Sequence, residues 1–260
     1  MRFLPALVVL VVLLAGGSIK AQDSPKSDLQ VVTILQQSAA VMGAGNLAQV
    51  QDSLVQGTAS APGKSESRAF TIKAKGTNLF RLEAAEPGQA PTVAVVNRGR
   101  PSRQTREGWK GGPSANTRHR RADHIPALML AQELLRADLS ATYVGLEDVE
   151  GRGAHRIRLA RVSSTLGNEL DQRLTKNSEM DVFVDAQTFL VVKLSYVHLT
   201  ETDWRRGLPM EIHYSDYRNL GGVLIPTFQR RVFNGQPLSD MRISSVAFNV
   251  GLADSEFEGR

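Results

Sequence analysis

The sequence predicts a mainly β (α+β) protein built on one large antiparallel sheet, and three observations lead there. From about Met180 to Val250, apolar and polar residues alternate in run after run. In Met210-Glu211-Ile212-His213-Tyr214-Ser215, the residues Met210, Ile212 and Tyr214 fall on one face and the polar residues on the other. A period of two belongs to a strand with one buried and one wet face, and many such runs in succession make an antiparallel sheet. The connections between runs are short and carry turn residues, so the sheet is expected to be a meander. Finally, only two segments show a convincing helical period, against roughly eleven strands.

Taken in order, the chain opens with a leader. Arg2 supplies a positive end, Phe3–Ala15 is an apolar run shorter than the ~20 residues of a membrane span, and small residues follow up to Ala21. This pattern predicts a secretory signal peptide over residues 1–21, cleaved after Ala21, with a periplasmic or secreted destination. No cysteine follows the run, so no lipid anchor is expected there, and residues 22–27 read as a polar linker. A single domain is expected over 28–260. Ser27 with Gln30 makes a capping box. Val31, Ile34, Leu35, Val41 and Met42 then recur at helical spacing, and Gly43 or Gly45 ends the helix.

Strands are predicted within Leu47–Ala59, at Phe70–Lys75, at Phe80–Ala84 after the turn Gly76-Thr77-Asn78, and at Thr92–Asn97. Residues 98–121 read as a long basic loop with a short strand around Trp109. A second helix is signalled at Pro126, a residue suited to a first turn. Ile125, Leu128, Met129, Leu134 and Leu135 supply its apolar content. Strands resume at Ser140–Leu146, Ala154–Val162, Asp181–Asp185, Leu190–Leu199, Leu208–Tyr217, Val223–Phe233 and Met241–Val250, while Ser164–Ser178 is a loop or short helix. Asp216 is expected to end a strand before the Gly221-Gly222 turn, and Asn249 and Asp254 to organise the C-terminal segment.

With 0 cysteines the chain has no disulfide, no thiolate metal site and no cysteine nucleophile. Its formal charge is +5, of which Arg2 and Lys20 lie in the leader, leaving +3 beyond it. The charge is concentrated: Arg98, Arg100, Arg103, Arg106, Lys110, Arg118, Arg120 and Arg121 stand against Glu107 alone. Export makes nucleic acid an unexpected partner, and peripheral contact with an anionic membrane surface fits better. Neither a hydrolase elbow, nor a phosphate loop, nor a dinucleotide fingerprint occurs. His119, Asp123 and His124 are the nearest approach to a metal set, and they read as solvated residues near a helix start. No cofactor, no metal and no enzyme activity are expected; a secreted enzyme is a remote alternative.

The last third of the chain resembles a known family. It reads Phe183-Val184-Asp185 before a strand, then Tyr214-Ser215-Asp216-Tyr217-Arg218, Gly221-Gly222-Val223-Leu224-Ile225-Pro226, and Phe248-Asn249-Val250-Gly251-Leu252 with Asp254 and Phe257. Together with the element order, this is similar to the periplasmic outer-membrane lipoprotein-sorting (lipoprotein carrier-like) superfamily, in its uncharacterised envelope-protein branch. The resemblance implies a curved antiparallel half-barrel, its concave face covered by two or three helices, with lipid or acyl chains bound between helices and sheet. Two helices are too few to bury so broad an apolar face, which independently favours a cavity.

The expected function is therefore a soluble binder or carrier of lipid or lipoprotein acyl chains. The alternative is an envelope protein-interaction or sensing module with a closed core and a protein partner. Candidate cavity residues are Phe70, Ile72, Leu82, Ile157, Leu159, Val192, Leu194, Met210, Ile212, Tyr214 and Phe228. Candidate head-group contacts are Arg118, Arg120, Arg121 and Trp109.

Overall fold

A computed structural model of the chain describes residues 26–85, 91–112, 116, 123–162, 169–199 and 207–259. The predicted leader, most of the linker, Arg118, Arg120, Arg121 and His119 lie outside the described residues. Among those described, no helix is long and apolar enough to cross a membrane.

Helix α1 (Lys26–Val41) buries Val31, Ile34, Leu35 and Ala39 on one side. It stops where predicted: Gly43 adopts φ 82° and its N–H donates to Ala40 O at 3.0 Å. A side chain there would also meet the Gly222 carbonyl at 2.7 Å, so glycine is required twice over. A short 3-10 turn (Ala44–Leu47) replaces the beginning of the predicted first strand.

Thirteen strands then form one curved, open antiparallel sheet: β1 (Asp52–Ser60), β2 (Ser67–Lys75), β3 (Leu79–Ala85), β4 (Thr92–Asn97), β5 (Arg100–Thr105), β6 (Gly108–Gly111), β7 (Leu139–Val149), β8 (Arg152–Arg161), β9 (Met180–Asp185), β10 (Val191–Leu199), β11 (Gly207–Leu220), β12 (Val223–Phe233) and β13 (Gln236–Phe248). Two further helices, α2 (Pro126–Leu134) and α3 (Glu169–Ser178), complete the elements that matter here.

The strand order corrects the simple meander. The sheet runs β6-β5-β4-β3-β2-β1-β13-β12-β11-β10-β9-β8-β7, so two meanders are joined by the first and last strands. Ser53 faces Phe248 and Ala59 faces Met241 across that seam. A bulge at Gln56/Gly57 adjusts it; a Cβ on Gly57 would lie 2.1 Å from the Arg242 carbonyl, so the seam admits no side chain there.

The basic loop is corrected as well. Arg98 and Gly99, with φ 49° and 82°, connect Asn97 directly to its partner Arg100. Two positive φ values are those of a type I′ hairpin turn, and they fold β5 back on β4; a second turn at Arg106-Glu107 pairs Thr105 with Gly108 and adds β6 at the sheet edge. Asn234-Gly235, with φ 50° and 75°, does the same between β12 and β13. Asp216 does not end its strand: it sits within β11 at φ 53°, and the turn after β11 is held by Asn219, whose Oδ1 accepts from Gly222 N at 3.1 Å. Leu135 lies beyond α2 and is exposed rather than buried.

One large core joins α1, α2 and the inner face of the sheet, and includes Leu35, Leu130, Ile157, Leu194, Ile212 and Ile225. Two smaller clusters lie on the outer face. One holds Leu79, Val93, Val95, Leu252 and Phe257, and the other Val149, Ala154, Phe183 and Val192.

Candidate functional site

The inner face divides into a filled half and an open half. Helix α1 packs on β7 and β9, while α2 packs on β12 and on α1. Ile157, Leu159, Leu194, Ile212 and Tyr214, all predicted cavity residues, are buried in that shared core. Facing them, β1–β4 and β10–β13 enclose a pocket of about 470 Å³. Of the candidate cavity residues, Phe70, Ile72, Leu82 and Met210 line it, joined by Phe80, Ala94, Phe233 and Met241. A volume of that order falls within the roughly 300–1,000 Å³ of small-molecule sites, whose walls are mostly apolar with a few placed polar groups. At the rim it shares Ala59, Ala84, Leu238 and Ser239 with a second, more open depression that also holds Lys64, Glu66 and Arg68.

Three predicted site residues are elsewhere. Val192 has the sequence parity of Leu194, but a bulge between Val191 and Lys193 turns it to the outer face beside Phe183. In β12 the inner positions are Val223, Ile225, Gln229 and Arg231. Phe228 therefore lies outside, with the Arg242 guanidinium 4.6 Å from its ring centre. Trp109 packs on the outer cluster of Leu79 and Phe257, away from the pocket lining.

The polar groups of the pocket were not foreseen. Arg231 donates from Nη2 to Asp123 Oδ2 at 3.1 Å, and both residues line the pocket. Asp123 is 2% exposed, so this carboxylate is all but removed from water. Burial disfavours the Arg231 charge, but the Asp123 carboxylate beside it more than compensates and holds the guanidinium protonated. The segment carrying Asp123 is pinned to the sheet twice more. Tyr214 donates its hydroxyl to Asp123 O, and Gln229 Nε2 donates to His124 O at 2.8 Å. Burial, then Asp123, pushes the Tyr214 phenol well above its ordinary range, so it stays a donor.

His198 closes another part of the pocket wall, stacked edge-on to Phe233 at 5.8 Å between ring centres. Asn116 bonds the end of β10, donating to Leu199 O at 2.7 Å and accepting from Leu199 N at 2.8 Å.

Several other titratable groups form structural pairs. Asp181 accepts from Arg156 Nε at 2.8 Å and from Arg158 Nε at 2.8 Å. Glu147 takes Arg156 Nη1 at 2.7 Å, and Asp148 caps the turn at Gly151. His213 sits between Glu150 and Glu211, 3.0 Å from each. Among the described residues no group of three or more metal-ligating side chains occurs.

The signal for the polar pair was present in the alternation itself. Gln229 and Arg231 continue the parity of Val223 and Ile225, so they mark a polar break in an apolar face.

Solved structures share this architecture. A LolA superfamily protein from Nitrosomonas europaea is 13% identical, with a TM-score of 0.53 over 88% of this chain and 97% of that one. A DUF1329 family protein from Desulfovibrio piger is 15% identical (TM-score 0.51), with the same 88% and 97% coverage. A putative outer membrane lipoprotein-sorting protein domain from Vibrio parahaemolyticus is 11% identical (TM-score 0.51), again over 88% and 97%. No family model and no curated protein matches the chain. At these identities the likeness shows the fold alone, and function must be argued from the site.

Proposed function

We propose that this protein is a soluble envelope protein that binds or carries lipid or lipoprotein acyl chains, held in the apolar pocket on the inner face of its sheet rather than between sheet and helices as the resemblance implies. One observation carries the reading: an apolar pocket of about 470 Å³ remains on the inner face of a sheet whose other half is filled by α1 and α2. Each methylene buried there contributes about 0.8 kcal/mol, so a chain is held without any catalytic group. The names of the similar structures, which include a lipoprotein-sorting domain, support the same class of cargo. The apolar leader of residues 3–15 supports export to the periplasm.

The test is native mass spectrometry of protein purified from envelope extracts, together with titration of a fluorescent fatty acid. Co-purified lipid and saturable uptake are the expected results. Absence of both sinks the carrier reading and favours a protein-interaction module, to be sought as one stoichiometric partner in a periplasmic pull-down.

A further inference from the structure

Resting on the acyl-chain reading, we propose that the pocket selects single-chain lipids that end in a carboxylate, and that Arg231 is the residue that receives it. The argument starts from an incomplete coordination. A guanidinium carries five N–H donors. Among the described residues Arg231 uses one of its nitrogens in a hydrogen bond, Nη2 to Asp123 at 3.1 Å, and its Nε is buried with no partner. The side chain nonetheless keeps 21% of its surface exposed, and it lines the pocket. The Nε is sealed off, so a ligand meets Arg231 through the part of its side chain that stays exposed. A charge with so few partners in a largely apolar cavity is costly, and an acceptor brought to that exposed part reduces the cost.

Two neighbouring polar groups are already engaged elsewhere. Tyr214 spends its hydroxyl on Asp123 O, and Gln229 spends its amide on His124 O. Asp123 is not an isolated negative charge that would repel an incoming carboxylate. Besides Arg231, the His124 ring lies beside it, Nδ1 to Oδ1 3.7 Å, with neither ring nitrogen hydrogen-bonded. A second carboxylate at Arg231 thus meets an Asp123 whose charge is already offset by the Arg231 guanidinium.

The rest of the pocket suits the tail. Phe70, Ile72 and Leu82 on β2 and β3 offer an apolar wall opposite β12. A carboxylate is an acceptor-only, planar group that fits the guanidinium fork, which a hydroxyl or a quaternary ammonium does not.

The experiment compares three amphiphiles of one chain length on the purified full chain stripped of lipid: dodecanoate, dodecanol and dodecyltrimethylammonium, by calorimetry at a pH where the acid is ionised. Dodecanoate is expected to bind about ten-fold or more tighter than dodecanol, as one hydrogen bond to a charged group implies. Arg231→Gln should erase that preference and leave dodecanol within about two-fold. Because Arg231→Gln leaves Asp123 buried without its cation, the double variant Arg231→Gln/Asp123→Asn, which retires both charges, is measured beside it. Equal affinity for the acid and the alcohol, tighter binding of the ammonium, or a preference that survives both variants overturns the assignment of Arg231 while leaving the acyl-chain reading intact. If none of the three binds, the acyl-chain reading fails as well.

Discussion

Val250 donates its backbone N–H to the Asp52 carboxylate at 2.7 Å, across 198 residues of sequence. The same carboxylate accepts from Gly251 N and Leu252 N, each at 3.0 Å, and is 4% exposed. The first residue of β1 thus holds the chain as it leaves β13, the strand beside it. This contact secures the seam that joins the two meanders, and it delivers Leu252 and Phe257 to the outer face of β3 and β4.

Asp52→Ala should therefore be strongly destabilising. It leaves three backbone donors without their acceptor, and an unsatisfied buried donor costs about 1–3 kcal/mol, less where water can reach it. A total of about 2–4 kcal/mol is expected as a lower urea midpoint at unchanged slope. Hydrogen exchange should accelerate at residues 250–252, and Trp109, packed on the same cluster, should change its fluorescence. An unchanged midpoint would remove the seam from the stabilising contacts.

A second prediction concerns acid. Burial works to raise the Asp181 carboxyl, but hydrogen bonds from Arg158 and Arg156 outweigh it and hold its pKa below 3.8. A depressed folded-state value gives stability that is present above the unfolded value, near ~3.9, and is lost as pH falls through the folded one. Asp181→Asn should accordingly lose about 1–3 kcal/mol at neutral pH. The gap to the parent should close on acidification below about pH 4. Urea titrations across that range decide it; a gap independent of pH would assign the effect to packing.

Much of this fold was legible in the alternation, and its failures have physical causes. Thr92–Asn97 and Val223–Phe233 were placed to the residue because turn residues bound them on at least one side. Strand β5 was missed because Arg98-Gly99, which joins it to β4, makes a turn usually signalled by Asn-Gly or Asp-Gly, and because the strand is charged. Parity failed where a bulge resets it, at Val192, whereas at Phe228 it held: the inner parity of Val223 and Ile225 already places that ring outside, beside Arg242. Phe70, Ile72, Leu82 and Met210 of the pocket wall were named because apolar strand residues face inward by default. Which inner residues the helices cover depends on tertiary packing, and Asp123 meets Arg231 only through the fold.

The two faces of the sheet can be told apart by truncation. Ile212 is fully buried in the main core, and Ile212→Ala should cost about 2–5 kcal/mol. Phe228 is half-buried between Arg230 and Arg242 on the outer face, where a cation–π contact contributes about 0.5–1 kcal/mol. Phe228→Ala should therefore lower the thermal midpoint far less than Ile212→Ala. Comparable losses would place Phe228 in the core after all.

Filling the pocket separates binding from folding. Ala94 lines it from β4 and is only partly buried, so Ala94→Trp has room to place its ring among Phe80, Leu82 and Phe233. Uptake of a fluorescent fatty acid should fall about ten-fold or more, as loss of two methylene contacts already implies. The urea midpoint should stay close to the parent's. If uptake is unchanged in a folded variant, the chain binds somewhere else.

The basic segment is proposed as a contact for anionic head groups, and its charges are divided between two settings. Arg100, Arg103, Arg106 and Lys110 lie on or beside the β5–β6 hairpin, where Lys110 is paired to Glu107 at 2.6 Å. Arg118, Arg120 and Arg121 lie in the stretch that leads to Asp123 and the pocket. Each basic residue near an anionic surface contributes about 1 kcal/mol, and salt weakens it. Replacing Arg118, Arg120 and Arg121 with Ser should reduce binding to anionic vesicles by on the order of 3 kcal/mol at low salt and flatten its salt dependence. The melting temperature of the triple variant is measured beside the binding, so that a loss of binding can be told from a loss of folding. Vesicle flotation at low and high salt is the measurement, and equal binding by parent and triple variant at low salt would end the proposal.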